Sequence, residues 1–171
     1  PLPTLPLTEL APTIARSPAL PRRSLHGRSD EAAPTLAVAW ARTEEDVRAA
    51  QRLRYQVFAE EMGARLSVPL GSPAGHDIDV FDAHCEHLLV RLQGTDAEPG
   101  EVIGTYRVLT PAAAQQVGGL YSDTEFDLTR LRHLRRNMVE LGRSCVHADH
   151  RQGGVIMALW GACLLYTSPS P

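Results

Sequence analysis

The stretch that decides the fold reads Val139-Glu140-Leu141-Gly142-Arg143-Ser144-Cys145-Val146-His147, followed by Ala148-Asp149-His150-Arg151-Gln152-Gly153-Gly154. Its first half has the β-branched and apolar residues of a strand. Its second half predicts a tight loop that ends in two glycines, and the apolar residues 155–160 that follow predict a buried helix. A strand, a glycine-containing loop and a helix start are typical of a phosphate site, because N–H groups and the helix dipole point at the anion.

Two charged side chains lie three residues apart on this predicted strand. Strict alternation places Glu140 and Arg143 on opposite faces of a sheet. Gly142 between them predicts a β-bulge, which would re-aim one side chain and free an N–H group for a carbonyl oxygen. The alternative is an ordinary central strand in which Glu140 and Arg143 form a structural ion pair. The sequence leaves both interpretations open.

The composition is that of one soluble domain. The chain has 171 residues, of which 43% are hydrophobic and 22% charged, enough for one core. Its net charge of −3 offers no basic field, so no nucleic-acid partner is expected. The three cysteines have no metal-type spacing and no even disulfide set, which favours free thiols in a reducing, cytoplasmic compartment. No apolar run reaches the roughly 18 residues that span a bilayer.

The chain divides into three predicted parts. Residues 1–34 hold seven of the 13 prolines, which predicts a disordered arm. A solvated tail is its simpler interpretation, and contact of its arginines with a membrane surface is the alternative. Residues 35–166 are predicted to form the folded domain. Residues 167–171 look like a translated sequencing adapter, so we expect a domain that is truncated at its C-terminus, and a start at Pro1 that is not the natural one.

The first predicted elements of the domain are a strand and a helix. Residues 36–40 predict the strand, and Thr43 with Asp46 three residues later predicts a capping box. Apolar residues then recur at helical spacing, namely Val47, Ala50, Leu53, Val57 and Phe58. Gly63 marks the predicted end of the helix. Arg54 lies beside the apolar stripe, where a snorkelling arginine is the default interpretation and a site residue the sharper one.

An acidic run and an antiparallel pair are predicted next. Asp77, Asp79 and Asp82 alternate with apolar residues, and their carboxylates would bind a cation or a cationic substrate, or be solvated. Residues 86–93 and 101–109 predict two antiparallel strands. A helical turn over residues 111–116 and a leucine-containing turn capped by Asp127 are expected before the central strand.

Metal and thiol chemistry are the weaker hypotheses. Ligand-type residues are present, namely His84, Cys85, His87, His147, Asp149 and His150. Their spacing matches no zinc pattern, so no metal is expected. A thiol in the middle of a strand is more often a small core residue than a nucleophile, and we interpret Cys145 in that way.

Several blocks of the sequence resemble the ornithine–acyl-carrier-protein N-acyltransferases. The blocks are residues 53–63 (Leu-Arg-Tyr-Gln-Val-Phe-Ala-Glu-Glu-Met-Gly), 77–90 (Asp-Ile-Asp-Val-Phe-Asp-Ala-His-Cys-Glu-His-Leu-Leu-Val), 102–107, 118–128 and the stretch 139–154 quoted above. The resemblance covers about residues 36–165. It implies an α+β fold of the Gcn5-type acyltransferases, with a mixed, mostly antiparallel sheet flanked by helices. The acyl-homoserine-lactone synthases are similar to this family.

The resemblance also implies an activity, partners and a site. The activity is transfer of a 3-hydroxyacyl group from acyl carrier protein to the α-amine of ornithine, the first step of ornithine lipid synthesis. The enzyme would be cytoplasmic, with a possible peripheral contact at the inner membrane face. The donor's phosphopantetheine belongs to the carrier protein, and no metal or redox cofactor is implied. Implied to line the site are Glu140, Arg143 and Arg107, with Arg54, Phe58, Asp79 and Asp82 on the acceptor side.

Each step of this chemistry has a candidate group. An α-amine with a pKa near 8 is mostly protonated at neutral pH, so a base must take a proton, and Glu140 is the candidate. N–H groups from Gly142 to Ser144 would stabilise the oxyanion. The N–H groups of Arg151, Gly153 and Gly154 would bind the pantetheine phosphate. The alternatives are an acyl-homoserine-lactone synthase, although the usual tryptophan shortly after Phe58 is absent, another acyltransferase of this fold, and a non-catalytic carrier-binding module.

Overall fold

One antiparallel sheet organises the described part of the chain. The computed structural model describes residues 35–95, 99–151 and 153–167. Four strands lie in the order β1-β2-β3-β4: β1 Leu36–Trp40, β2 Glu86–Leu92, β3 Val102–Leu109 and β4 Glu140–Val146. All four predicted strands are confirmed, and every pairing among the described strands is antiparallel. The predicted arm, residues 1–34, and residues 168–171 of the predicted tail lie outside the described residues.

Three helices accompany the sheet. They are α1 Glu44–Tyr55, which continues as a π-helix over Gln56–Glu61, α2 Pro111–Val117 and α3 Gly154–Thr167. Tight 3₁₀ turns occupy Asp82–His84, Tyr121–Thr124, Thr129–Leu131, Arg135–Asn137 and Ala148–His150. The predicted cap at Asp127 is confirmed, because its Oδ1 accepts the N–H of Thr129 at 2.9 Å. None of the helices in the described ranges is long and apolar enough to cross a membrane.

The start of α1 forms the predicted capping box. Thr43 Oγ1 accepts the N–H of Asp46 at 3.1 Å, and Asp46 Oδ2 accepts the N–H of Thr43 at 3.0 Å. These two bonds satisfy N–H groups that a helix start would otherwise leave unpaired. Gly63, at φ +71°, follows the π-helix that ends this element. The local signals therefore predict where the first helix starts and ends.

The sheet is packed on both faces. On one face α1 contributes Ala50, Leu53 and Val57 to a cluster that includes Leu89 of β2 and Cys145 of β4. On the other face α3 contributes Val155, Leu159 and Cys163 to a cluster with Leu88, Val90, Ile103 and Val108. The alternation of Leu88, Leu89 and Val90 between the two clusters is the two-residue period of a strand. The helices thus fix β4 from both sides.

A glycine lets α3 approach the sheet closely. A Cβ on Gly104 of β3 would lie 2.6 Å from Val155 Cγ1 and 3.3 Å from Leu159 Cδ1. Such a contact with Val155 is too short for a real side chain, so any larger residue would push the helix away. This packing holds the first turn of α3 against β3, where Gly104 pairs with Val146 at the end of β4.

β4 contains the predicted bulge, but at a different residue. Arg107 pairs with Gly142, and Thr105 pairs with Cys145, so β4 has one residue more than β3 over this interval. Arg143 takes the left-handed conformation, at φ +49°. The prediction that Gly142 carries the bulge is therefore wrong: Gly142 stays in register opposite Arg107, and the extra residue follows it. A bulky residue rarely adopts this conformation, and the ionic contacts of Arg143 described below hold it there.

Candidate active site

Arg54 of α1 lies at the centre of a buried ionic network. Its side chain is fully buried. Its Nε lies 3.1 Å from Asp77 Oδ2, and its Nη2 lies 2.7 Å from Asp82 Oδ2. Nη2 also donates to the carbonyl oxygen of Asp77. The snorkelling interpretation of Arg54 is wrong, because two buried carboxylates attract its charged end inward instead of leaving it in water.

The three aspartates of the acidic run bind arginines of this chain. Arg107 Nη1 lies 2.7 Å from Asp79 Oδ1 and 2.9 Å from Asp82 Oδ1. Arg143 Nε lies 3.3 Å from Asp77 Oδ2, and Arg143 Nη2 lies 3.4 Å from Asp79 Oδ2. The interpretation of these carboxylates as solvated groups is wrong. Three arginines and three aspartates make the network formally neutral.

The network changes the ionisation of its members. Burial alone would raise the pKa of Asp82, but the hydrogen bonds and charges of Arg54 and Arg107 outweigh it and lower the pKa to about 2. Burial lowers the pKa of His87, whose Nε2 lies 3.1 Å from the carbonyl oxygen of Asp82. The imidazole is therefore neutral at pH 7, and the network keeps its charge balance.

Acid should destabilise the protein through Asp82 in a defined pH window. The carboxyl titrates near 3.8 when it is free and near 2 in the folded protein, a difference worth about 2 kcal/mol. Because folding lowers this pKa, the stabilisation is complete above about pH 4 and is lost as the pH falls through about 2. Urea unfolding over this range should show a shallower loss for Asp82→Asn than for the wild type. Asp149→Asn, whose side chain is 83% exposed, should follow the wild type; parallel curves for all three proteins would contradict the role of Asp82.

A cleft of about 230 Å³ lies in front of this network. Its walls come from the segment before β2, from β3, from the turn after α2 and from β4, and include Phe81, Cys85, Arg107, Leu109, Tyr121, Ser122, Glu140, Leu141, Gly142 and Arg143. The guanidinium carbon of Arg143 lies 4.9 Å from the centre of the Tyr121 ring, and that of Arg107 lies 5.9 Å from it. We call this the smaller cleft. It combines an aromatic wall, two arginines and one carboxylate.

Glu140 is held in the smaller cleft by the turn that starts at Tyr121. Its Oε2 accepts the N–H of Tyr121 at 2.7 Å, and its Oε1 accepts the N–H of Ser122 at 2.8 Å. The Ser122 hydroxyl also donates to Oε1. Arg143 pairs with Asp77 and not with Glu140, so the alternative of a Glu140–Arg143 ion pair is wrong. At the bulge the side chain of Arg143 therefore contacts the aspartates, whereas the side chain of Glu140 lines the smaller cleft.

A second cleft, of about 560 Å³, lies on the other side of the bulge. Its lining is mostly apolar and comprises Val57, Phe58, Glu61, Met62, Ser144, Cys145, Val146, Arg151, Gly153 and Ile156. We call this the larger cleft. Phe58, which the resemblance implies on the acceptor side, lies in the π-helix and lines this cleft. Its ring remains 6.0 Å from the guanidinium carbon of Arg143.

The predicted phosphate loop borders the larger cleft. Gly153 has φ +96° and precedes Gly154, the first residue of α3. The first N–H groups of a helix have no partner within the helix and bind anions well. The guanidinium of Arg151 is held by Glu61, with distances of 2.5 Å for Nη1–Oε1 and 2.6 Å for Nη2–Oε2. Its Nε also donates to the carbonyl oxygen of Val146, so the side chain of Arg151 fastens the loop to the end of the first helix.

The structure thus brings the predicted residues into three groups. Glu140, Gly142, Arg143 and Arg107 line the smaller cleft, while Ser144, Phe58, Arg151 and Gly153 line the larger cleft. Arg54, Asp79 and Asp82 lie behind Arg107 and Arg143. The two clefts meet at the bulge, where Arg143 faces one and Ser144 the other.

Three residues of this arrangement were missed from the sequence. Tyr121 and Ser122 lie 19 and 18 positions before Glu140, so no local pattern connects them to it. Asp77 was noted in the acidic run but was not assigned to the site. Its buried carboxylate, 2% exposed, joins Arg54 to Arg143. For Asp77, the alternation of acidic and apolar residues was the one feature of the sequence that could have indicated a role in the site.

The buried thiol and the histidines have ordinary structural surroundings. Cys145 is 5% exposed, and burial raises the pKa of its thiol to about 12. The interpretation of Cys145 as a small core residue is confirmed, since a thiol that stays protonated is a poor nucleophile. Within the described ranges, no cluster of three histidine, cysteine or carboxylate side chains is arranged to hold a metal ion.

This fold and this site define a class of protein. The acetyltransferase (GNAT) domain family matches residues 53–161, which is more than half of the chain, and the chain belongs to that family. The matched span runs from the end of α1 into α3 and includes every residue that lines the two clefts.

Comparison with individual proteins is more specific. The chain is 41% identical over 128 residues to the L-ornithine N(alpha)-acyltransferase of Rhodobacter capsulatus, which covers 74% of this chain and 49% of that protein. It is 42% identical over 125 residues to the protein of the same name from Rhizobium meliloti, covering 70% of this chain and 41% of that protein. The resemblance seen in the sequence is confirmed. The chain spans about half the length of these relatives.

A solved structure shares the fold. The AHL synthase LasI matches with a TM-score of 0.52 at 20% identity, over 79% of this chain and 67% of that one. At this identity the likeness shows the fold alone. It confirms the predicted similarity of architecture to the acyl-homoserine-lactone synthases.

Proposed function

We propose that this chain forms the catalytic part of an N-acyltransferase that acylates the α-amine of ornithine. The donor is a 3-hydroxyacyl thioester carried by acyl carrier protein. The observation that carries the proposal is the meeting of two unlike clefts at the bulge of β4, one apolar and one polar, with Glu140 in the polar one. The similarity to two proteins named L-ornithine N(alpha)-acyltransferase supports the choice of ornithine.

The smaller cleft suits ornithine by charge. At neutral pH ornithine has two ammonium groups and one carboxylate, a net charge of +1. The network behind the cleft is neutral, so the negative charge of Glu140 complements the ligand. A guanidinium has five N–H donors. Arg107, which uses Nη1 for both of its carboxylates, can also bind the carboxylate of the substrate.

The larger cleft suits the acyl donor. Val57, Phe58 and Ile156 offer an apolar wall to a pantetheine arm or an acyl chain. At one end Gly153 and Gly154 present the N-terminus of α3 to a phosphate. A pantetheine bound in this way would bring its thioester toward the bulge from the side opposite to Glu140.

The proposed reaction is direct attack of the amine on the thioester. Glu140 takes a proton from the ornithine α-ammonium, directly or through one water. The amine nitrogen then bonds to the carbonyl carbon, and N–H groups at the bulge, between Gly142 and Ser144, stabilise the negative charge on the oxygen. The C–S bond breaks, the nitrogen loses its second proton, and the leaving thiolate of the carrier is protonated. These steps require no metal and no electron transfer.

The loop at the start of α3 gives a prediction about the donor. Gly153→Asp places a carboxylate where a phosphate is proposed to bind, and should raise the KM for acyl carrier protein about tenfold or more while changing the KM for ornithine little. Gly153→Ala is the matched control: it meets the same left-handed φ of +96° without the charge. Equal effects of the two variants, or equal effects on both substrates, would contradict a phosphate site at this loop.

An acyl-transfer assay tests the proposed function. A full-length protein that contains this sequence is incubated with 3-hydroxyacyl carrier protein and a panel of amines: ornithine, lysine, 2,4-diaminobutyrate, arginine and S-adenosylmethionine. Mass detection of the N-acyl product should show ornithine as the preferred acceptor. A preference for S-adenosylmethionine would instead identify a lactone synthase. Carrier binding without any product would identify a non-catalytic module.

A further inference from the structure

The segment between residues 128 and 138 winds as a run of tight turns. The N–H of Leu131 donates to Leu128, that of Leu134 to Leu131 and that of Asn137 to Leu134, each at 2.9 Å from the carbonyl oxygen. Side chains three residues apart lie on one face of such a run. The leucines therefore form one stripe. Leu128 packs against the core, whereas Leu131 and Leu134 are 39% and 45% exposed.

The other two faces of this run carry four arginines: Arg130, Arg132, Arg135 and Arg136. Arg135 is paired with Asp123, with 2.7 Å between Nη1 and Oδ2. Among the described residues no carboxylate forms an ion pair with the other three arginines. The acids that precede the run are engaged elsewhere: Glu125 accepts the Tyr121 hydroxyl, and Asp127 caps Thr129. Residues 128–136 contain these four arginines and no acidic residue, on a chain whose net charge is −3.

Basic and apolar side chains together fit the surface of an anionic bilayer. Phe126, which precedes the run, is 67% exposed and adds to the two leucines. Apolar side chains enter the region of the lipid headgroups, and arginines bind the phosphates above them. Arg132, Arg135 and Arg136 also line a groove of about 680 Å³ beside the end of α2, which has room for a headgroup. We propose that residues 126–136, here called the arginine segment, dock on a membrane surface rich in anionic phospholipid.

The position of the arginine segment favours a lipid over an acidic protein. Asp123, the partner of Arg135, also accepts the N–H of Leu120 at 2.9 Å. Between Leu120 and Asp123 lie Tyr121 and Ser122, which hold Glu140 in the smaller cleft. The segment therefore borders the acceptor side, whereas a carrier protein delivers its arm through the larger cleft. This choice of partner rests on the proposed function, in which the acylated product leaves beside the bilayer.

Vesicle binding tests the arginine segment without any acyl transfer. The whole protein is mixed with vesicles of phosphatidylglycerol and phosphatidylcholine, or of phosphatidylcholine alone, and sedimented at increasing salt. Each arginine at an anionic surface contributes about fivefold to binding, so replacing Arg130, Arg132 and Arg136 with glutamine should weaken it on the order of 100-fold. Replacing the same three with lysine should retain most of the binding, since the charge is kept. Added salt should weaken the wild type toward the glutamine variant.

A matched control removes the same charge elsewhere. Arg42, Arg48 and Arg52 are exposed residues at the start and on the outer face of α1, and their replacement with glutamine should leave vesicle binding unchanged. A thermal melt confirms that each variant is folded. Equal losses in both triple variants, wild-type binding by the segment variant, or equal binding to both vesicle types would overturn the proposal. The proposal would also be overturned if the glutamine variant of the segment kept its vesicle binding but lost affinity for acyl carrier protein, because this surface would then be a protein site. Absence of acyl transfer alone would contradict only the proposed function.

Discussion

Replacement of Glu140 by glutamine in a full-length protein is expected to lower kcat by about 10²-fold or more. Glutamine has nearly the same shape, so Ser122 can still donate to its carbonyl oxygen. Its amide nitrogen cannot accept the N–H of Tyr121, however, and it cannot take a proton from an amine. The loss should therefore fall on kcat, with a smaller change in the KM for ornithine. Steady-state kinetics across pH measures both, and the limb of the wild-type profile due to the base should disappear.

Glu125→Gln is the control for this variant. Glu125 lies on the same turn and accepts the Tyr121 hydroxyl at 3.1 Å, but it does not line the smaller cleft. Its replacement should leave kcat within about twofold of the wild type, because exposed substitutions away from a site have small effects. Near-wild-type turnover of Glu140→Gln with an unchanged pH profile would contradict the assignment of the base.

Replacement of Arg54 by methionine is expected to cost about 3–5 kcal/mol of unfolding free energy. Methionine fills similar space, but it leaves the carboxylates of Asp77 and Asp82 buried without their shared cation. A loss of this size is a large part of the roughly 5–15 kcal/mol by which native proteins are stable. Urea unfolding at neutral pH measures the loss. Activity should fall with it, since Asp77 and Asp82 also hold Arg143 and Arg107 at the cleft.

The same helix supplies the control for Arg54. Arg52 pairs with Glu45 at 2.6 Å, but the two side chains are 48% and 67% exposed. An exposed pair contributes about 0–1 kcal/mol, so Arg52→Met should be nearly neutral. If Arg54→Met were as mild as Arg52→Met, the buried network would not be a determinant of stability.

Features that depend on neighbours in sequence were predicted correctly. The capping box of Thr43 and Asp46, the four strands and the start of the last helix all rest on periodicity and on local hydrogen bonds. These signals depend on residues that are close in sequence, so they do not require knowledge of the tertiary fold. They suffice to define the sheet and its helices.

Features that depend on distant partners were predicted less well. For Arg54 the sequence left two interpretations open, a snorkelling arginine and a site residue, because its own helix shows only an apolar stripe, whereas its partners lie 23 and 28 positions later. The bulge was assigned to Gly142 because a glycine inside a strand often marks a bulge. The left-handed conformation lies instead at Arg143, where it is accompanied by ion pairs with Asp77 and Asp79. The orientation of Arg54 and the conformation of Arg143 both depend on ion pairs that form in the tertiary fold. The local sequence does not predict these pairs.

The most direct measurement is a crystal structure of the full-length protein with a bisubstrate analogue, in which the α-nitrogen of ornithine is joined to an acyl pantetheine phosphate. The ornithine portion should occupy the smaller cleft, with its nitrogen within about 3 Å of Glu140 or one water away. The phosphate should contact the N–H groups of Gly153 and Gly154, and the linking carbon should lie at the bulge. An ornithine portion bound in the larger cleft, or a phosphate bound away from the start of α3, would contradict the account.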